Sequence, residues 1–180
     1  MKRVLFIALA LLLALSCLGE SISAYNWIQP EVICEDGVAI AEIPAGDSSE
    51  MIMVEIGESY YLWPEVSLYL YAFCRLPDNY ITKNDAMDLD WDSRAGNLWA
   101  VAPGRVIGGD RFGNYEKLLP TAKGRKYYEC DVDYEGGFRN GKRIVFSSDG
   151  LIYLTLDHYE SYTLLYDGWY EEDAKYVPAK

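Results

Sequence analysis

The apolar periodicity of this chain changes once, near Arg105, and that switch limits the folds open to it. Upstream, Val66, Tyr69, Leu70 and Phe73 recur at helical spacing behind Pro64, a residue suited to a first helical turn. Leu76-Pro77-Asp78-Asn79 ends that helix, and Thr82 can cap a short second one through Asp85, Ala86 and Met87. Downstream the period is two. Tyr128, Cys130 and Val132 face one way, and Tyr127, Glu129 and Asp131 face the other. Asp149-Gly150 between Ile144-Val145-Phe146 and Leu151-Ile152-Tyr153 marks a hairpin. Helices followed by hairpin-linked strands predict an α+β fold with an antiparallel sheet.

Residues 1–24 read as a secretory signal. Lys2-Arg3 precede an apolar run from Val4 to Leu18, too short to span a bilayer comfortably, and small residues follow. Cys17 has Ala14 three residues before it instead of the usual Leu, which argues against lipidation. The expected product is an exported, extracellular monomer of a little over 150 residues, free of the membrane once the leader is cut. That is one ordinary domain. Cys34, Cys74 and Cys130 remain after processing, enough for one disulfide in an oxidising compartment. Cys130 alternates with strand core positions, so Cys34–Cys74 is the expected pair. No Cys/His cluster suggests a metal site, and no nucleotide-cofactor loop is present.

The net charge of −12 is unevenly spread. Residues 25–59 carry eight acids and no Lys or Arg, whereas residues 60–166 carry 15 acids and 12 bases. Such acidity excludes non-specific binding of nucleic acid or membrane by the whole surface, but allows a local cationic cleft. Two roles suit the acidic extension. It could lie over that cleft as an electrostatic mimic of a polyanion, or pack its Val, Ile and Met residues on a sheet edge or the first helix.

His158 is the only histidine, in Asp157-His158-Tyr159. It is the one side chain that titrates ordinarily near neutral pH, so proton transfer would rest on it. Glu129, Arg139, Arg143 and Lys83 complete an acid, a base and three cations, the parts required to break a phosphodiester without a metal. Phe112-Gly113-Asn114-Tyr115-Glu116 is a loop able to hold a flat ring between an aromatic face and a carboxylate. Taken singly, each of these residues is as common on an inert surface.

The motifs that run through this region give the set more weight. Leu76 to Lys83 (LPDNYITK), Gly96-Asn97-Leu98, Ile107-Gly108-Gly109-Asp110, Gly137-Phe138-Arg139-Asn140, Ser147-Ser148-Asp149 and Asp157-His158-Tyr159 resemble the barnase-type bacterial guanyl-preferring ribonucleases. The similarity runs from about Val66 to Tyr166. It implies N-terminal helices packed on a five-stranded antiparallel sheet, and a 60–166 ribonuclease domain between the 25–59 extension and a 167–180 tail, neither of which the resemblance covers.

It implies also a metal-free cyclising cleavage of single-stranded RNA. Glu129 would act as base, His158 as acid, and Lys83, Arg139 and Arg143 as phosphate cations. Gly113, Asn114, Tyr115 and Glu116 would read guanine, with Tyr159 stacked on the base. An acidic barstar-like inhibitor is the implied protein partner. A catalytically silent RNA or protein binder and a secreted toxin are the alternatives.

Two departures stand out. Tyr115 occupies a position where the bacterial relatives carry Arg. Gly150 replaces a bulky aromatic, which leaves space near Cys74 that the extension through Cys34 would fill.

Overall fold

The computed structural model describes residues 29–45 and 48–178. The expected leader and Cys17 lie outside them. Twelve elements follow in order among the described residues: β1 (Val32–Glu35), β2 (Val38–Ala45), β3 (Ser48–Glu55), α1 (Trp63–Phe73), β4 (Tyr80–Ile81), α2 (Lys83–Asp88), α3 (Leu98–Val101), β5 (Val106–Phe112), β6 (Tyr127–Asp131), β7 (Arg143–Ser147), β8 (Ile152–Thr155) and β9 (Thr163–Tyr166).

The α+β class stands, with a different sheet. Strands β5 to β9 form the five antiparallel strands, but β4 adds a parallel edge through Tyr80↔Val106 and Ile81↔Ile107. The large sheet is therefore six-stranded and mixed. Two residues extending from the turn after α1 suffice to make that edge. A separate three-stranded antiparallel sheet, β1-β2-β3, comes from the acidic extension. The Asp149-Gly150 turn joins β7 to β8 as the sequence suggests, with Gly150 at φ +99°.

Helix α1 explains the layering. Residues 66–70 are all buried, so the helix has two apolar faces and not the single face read from the spacing. Val66 and Leu70 pack into the main core with Ile144, Phe146 and Ile152. Leu68 and Tyr69 pack with Ala39, Ala41, Ile43 and Val54 of the small sheet. Its start lacks a side-chain cap of its own, but the Trp63 N–H donates to Asp133 Oδ1 at 3.0 Å. Helix α2 carries the expected Thr82 cap, reciprocated by Asp85 as a capping box. The extension thus covers the helix, on the side of the molecule away from the β6 face that bears Glu129. None of its described residues lines the cleft, and the packing role is the one the small sheet takes.

Two further expectations are corrected. Cys34, Cys74 and Cys130 are all free, so the Cys34–Cys74 bridge is absent. Cys74 closes α1 in a left-handed conformation (φ 55°) and is buried in the main core, while Cys34 packs with the small-sheet cluster. Burial, then the Glu171 charge, raises both thiols, Cys74 to about 11, which keeps them from the reactive thiolate form. The space over Gly150 is filled by the tail and not by the extension. A Cβ on Gly150 would lie 2.4 Å from the Gly168 carbonyl carbon, and the next residue, Trp169, is buried in the core. The Tyr170 N–H then donates to Tyr71 O (3.0 Å), and the Val177 N–H to Cys74 O (2.8 Å). These bonds strap residues 167–178 along the end of α1, and Tyr176 packs on Tyr128 and Phe146.

Trp169 therefore supplies core volume. Trp169→Ala is expected to lower unfolding free energy by about 3–5 kcal/mol, read as an earlier urea midpoint. A loss under about 1 kcal/mol would show the tail to be superficial.

Candidate active site

Strand alternation places Glu129 and Asp131 side by side on the β6 face opposite α1, both buried. Glu129 is held at both oxygens. Lys83 Nζ donates to Oε1 at 2.6 Å, and the Tyr159 hydroxyl donates to Oε2 at 2.7 Å. Burial pushes the Glu129 carboxyl up. Lys83 and Tyr159 overcome that and hold it below the ordinary carboxylate value. Tyr159 is raised in turn, by its own burial and then by the anion it serves. Lys83 is positioned by the first turn of α2, where its N–H donates to Asp110 Oδ2 at 3.0 Å.

Asp131 collects both arginines. Arg139 Nε and Nη2 each bond one of its oxygens at 2.6 Å, a bidentate pair. Arg143 Nε lies 2.8 Å from Oδ1, and its Nη1 donates to Lys142 O at 2.6 Å. Arg143 faces Asp131 directly across the β6–β7 ladder. Arg139 comes from the following loop, which the Asn140 amide fastens to Val132 O and Asp133 O. The floor of the site thus holds three cations, Lys83, Arg139 and Arg143, against Glu129 and Asp131 of β6 and Asp110 of β5.

His158 is exposed on the cleft rim, in a turn built by its neighbour. The Asp157 carboxylate accepts from Thr155 Oγ1 (2.9 Å), Glu160 N (3.1 Å), Ser161 N (2.9 Å) and Ser161 Oγ (2.5 Å). Led by Ser161, these bonds lower Asp157 to about 2. The network holds His158 and Tyr159 at φ +58° and +75°, a region that costs side-chain-bearing residues of order 1–3 kcal/mol.

The loop after β5 makes the other wall. Asn114, at φ +45°, clasps it with its side chain: Nδ2 donates to Leu119 O (2.9 Å) and Oδ1 accepts from Leu119 N (3.1 Å). Tyr115 is 88% exposed, and its ring covers Gly113 so closely that a Cβ there would sit 2.3 Å from Cε2. Phe112 stacks on Tyr159, ring centres 5.4 Å apart. The loop, Glu116, Glu129, His158 and Tyr159 together enclose an open cleft of about 390 Å³.

The structure accordingly brings the residues expected to act in catalysis or base binding to one region. Lys83 touches Glu129, Arg139 and Arg143 sit behind it on Asp131, and Gly113 to Glu116 face His158 across the cleft. Two roles escaped the sequence reading. Asp131 was seen only as a neighbour of Glu129 by alternation, and the Tyr159 hydroxyl was not foreseen as a carboxylate partner. Asp131→Asn is expected to destabilise the fold by about 3–5 kcal/mol, because two largely desolvated guanidinium groups lose their counter-charge. A thermal or urea unfolding curve matching that of the unmodified chain would contradict this account.

A family model described as ribonuclease matches residues 67–166. Curated proteins named ribonuclease from Bacillus intermedius and Bacillus pumilus are each 55% identical over 98 residues, 54% of this chain and 60% of theirs. The matched region thus spans about 60% of the length of those two relatives. A ribonuclease from Heyndrickxia coagulans is 55% identical over 97 residues, 89% of its length. The matched segment begins inside α1 and ends with β9, and so contains Lys83, Glu129, Asp131, Arg139, Arg143 and His158. The chain belongs to the ribonuclease family.

Proposed function

We propose that the protein is a secreted, guanyl-preferring endoribonuclease that cleaves single-stranded RNA by transesterification. The observation that carries this reading is the Glu129 carboxylate, kept ionised by Lys83 and Tyr159 in a cleft whose rim bears the only histidine. Glu129 takes the proton from a ribose 2′-hydroxyl, and the 2′-oxygen attacks phosphorus in line. The bond from phosphorus to the 5′-oxygen breaks, and that oxygen takes the proton of the His158 imidazolium. A 2′,3′-cyclic phosphate is left. Water then opens it: His158 accepts the water proton and Glu129 returns its proton to the 2′-oxygen.

Negative charge builds on the non-bridging oxygens as the phosphorane forms. Lys83, Arg139 and Arg143 face that charge, and their positions are fixed before substrate arrives. DNA lacks the nucleophile and can bind without being cut. On the opposite wall, Glu116 accepts from guanine N1–H and N2–H, a donor pair that adenine does not offer. Amides of the 113–115 segment meet O6, and the exposed Tyr115 ring supplies a stacking face. The leader of residues 1–24 supports export.

Initial rates on GpU and ApU test this assignment. GpU is expected to be cleaved faster, and Glu116→Gln to reduce the guanine-to-adenine ratio by about 10- to 100-fold, equivalent to roughly 1–3 kcal/mol. His158→Ala is expected to lower kcat by about two to four orders of magnitude. Unchanged turnover in that variant would remove the histidine from the mechanism.

The pH profile tests the base separately. Glu129 works as the anion, so kcat/KM falls on the acid side as Glu129 is protonated, below the ordinary carboxylate value. Tyr159→Phe removes a bond to the anion, raises the Glu129 pKa and is expected to shift the acid limb to higher pH. An unmoved or downward-shifted limb would show that Tyr159 does not tune the base.

A further inference from the structure

Across the Gly113–Tyr115 loop from the cleft lies a second hollow of similar size, about 390 Å³. The two hollows share Arg111 and the segment 112–115 as a common wall. Lys117, Thr121 and Arg125 belong to the second hollow alone. It is lined by three cations and no carboxylate, in a chain of net charge −12.

The three cations are not equally available. Arg125 is committed to Asp149, with Nε at 2.8 and 3.0 Å from its two oxygens and Nη2 at 2.6 Å, while Nη1 donates to Pro120 O. Arg111 lies over the Tyr128 ring, 5.1 Å from its centre. Among the described residues, neither Arg111 nor Lys117 makes an ion pair, and the Lys117 ammonium has no hydrogen-bond partner. The Lys117 backbone is fixed by its N–H bond to Asn114 O (3.0 Å), in the same turn that shapes the cleft wall. Arg111 pairs with Tyr128 across β5–β6 and turns its guanidinium to that face of the sheet, which leaves the Lys117 ammonium, with the Thr121 hydroxyl in the same lining, as the group that suits a phosphate.

Strand polarity decides which phosphate. In the proposed reaction the leaving nucleotide is attached through the 5′-oxygen that His158 protonates, so the 3′ side of the RNA departs past His158. The guanosine sits against the loop, and its own 5′-oxygen points away from the scissile phosphate. The hollow beyond the loop has neither Glu129 nor His158 in its lining. We propose that Lys117, with Thr121, forms a subsite for the phosphate on the 5′ side of the guanosine, so that RNA straddles the loop over Tyr115. This assignment rests on the ribonuclease reading above and names the part of the substrate that the second hollow takes.

The test compares kcat/KM for GpU, 5′-phosphorylated pGpU and 3′-phosphorylated GpUp at low salt, for the full chain and for Lys117→Ala and Lys117→Glu. The expected result is a three- to tenfold advantage of pGpU over GpU, about what one partly exposed charged contact supplies. Lys117→Ala should erase it and Lys117→Glu reverse it. Neither should alter GpU cleavage or the ratio of GpUp to GpU. The advantage should also fade as salt rises. A pGpU advantage that is absent, or that survives Lys117→Ala, would overturn the subsite. An effect of Lys117 confined to GpUp would overturn the strand polarity. Absence of any GpU cleavage would instead sink the ribonuclease reading. In that event, titration of the full chain with d(pGpT) and d(GpT) still tests the subsite: a preference for d(pGpT) lost in Lys117→Ala supports it, and equal binding overturns it.

Discussion

The site depends on one buried carboxylate. Asp131 is 2% exposed and stands between Arg139 and Arg143, so two cations can be held against the sheet without a prohibitive desolvation cost. The β6–β7 register places Arg143 opposite it, and the loop clasped by Asn140 delivers Arg139. Alternation along β6 then puts Glu129 on the same face. Its own cation, Lys83, reaches in from the start of α2. These charges are thereby fixed on the β6–β7 pair, whose other face packs on α1. Preorganised charge of this kind would need no rearrangement in the proposed reaction.

The cleft walls follow a different logic. They are turns, each stabilised by one short polar side chain bonded to several backbone groups. Asp157 holds His158 and Tyr159 in left-handed conformations, and Asn114 clasps the loop after β5. The sheet supplies a rigid floor, while the rim is set by local hydrogen bonds at strained positions. Tyr159 joins the two, since its ring stacks on Phe112 of one wall and its hydroxyl bonds Glu129 in the floor.

Much of the floor was legible in the sequence because it obeys local rules. Period two along 127–132 predicts which side chains share a face, Thr82 announces a helix start, and Asp149-Gly150 announces a hairpin. The partnerships were not legible, because each depends on register between segments far apart in the chain. Nothing around Asp131 says that Arg139 and Arg143 converge on it, and nothing around Tyr159 says that its hydroxyl reaches Glu129. The small sheet was hidden by its composition. Packing of residues 25–59 on the first helix was one of the two roles read from the sequence, but the eight acids masked the strand pairing that lets Ala39, Ala41, Ile43 and Val54 form a continuous inner face against α1. Trp169 illustrates the reverse. The loss of an aromatic at Gly150 was visible, but the residue that takes up the space lies 19 positions further on, in a tail with no periodicity of its own. The disulfide expectation failed because counting thiols ignores where α1 puts them.

The central claim is that Glu129 and His158 perform a two-step cyclising cleavage without a metal. Following single-stranded RNA cleavage in excess chelator by phosphorus NMR tests it most directly. The account predicts that 2′,3′-cyclic phosphate ends at guanosine accumulate first and open to 3′-monophosphates only later. Direct appearance of 3′- or 5′-monophosphates with no cyclic species, or a reaction that stops in chelator, would contradict it.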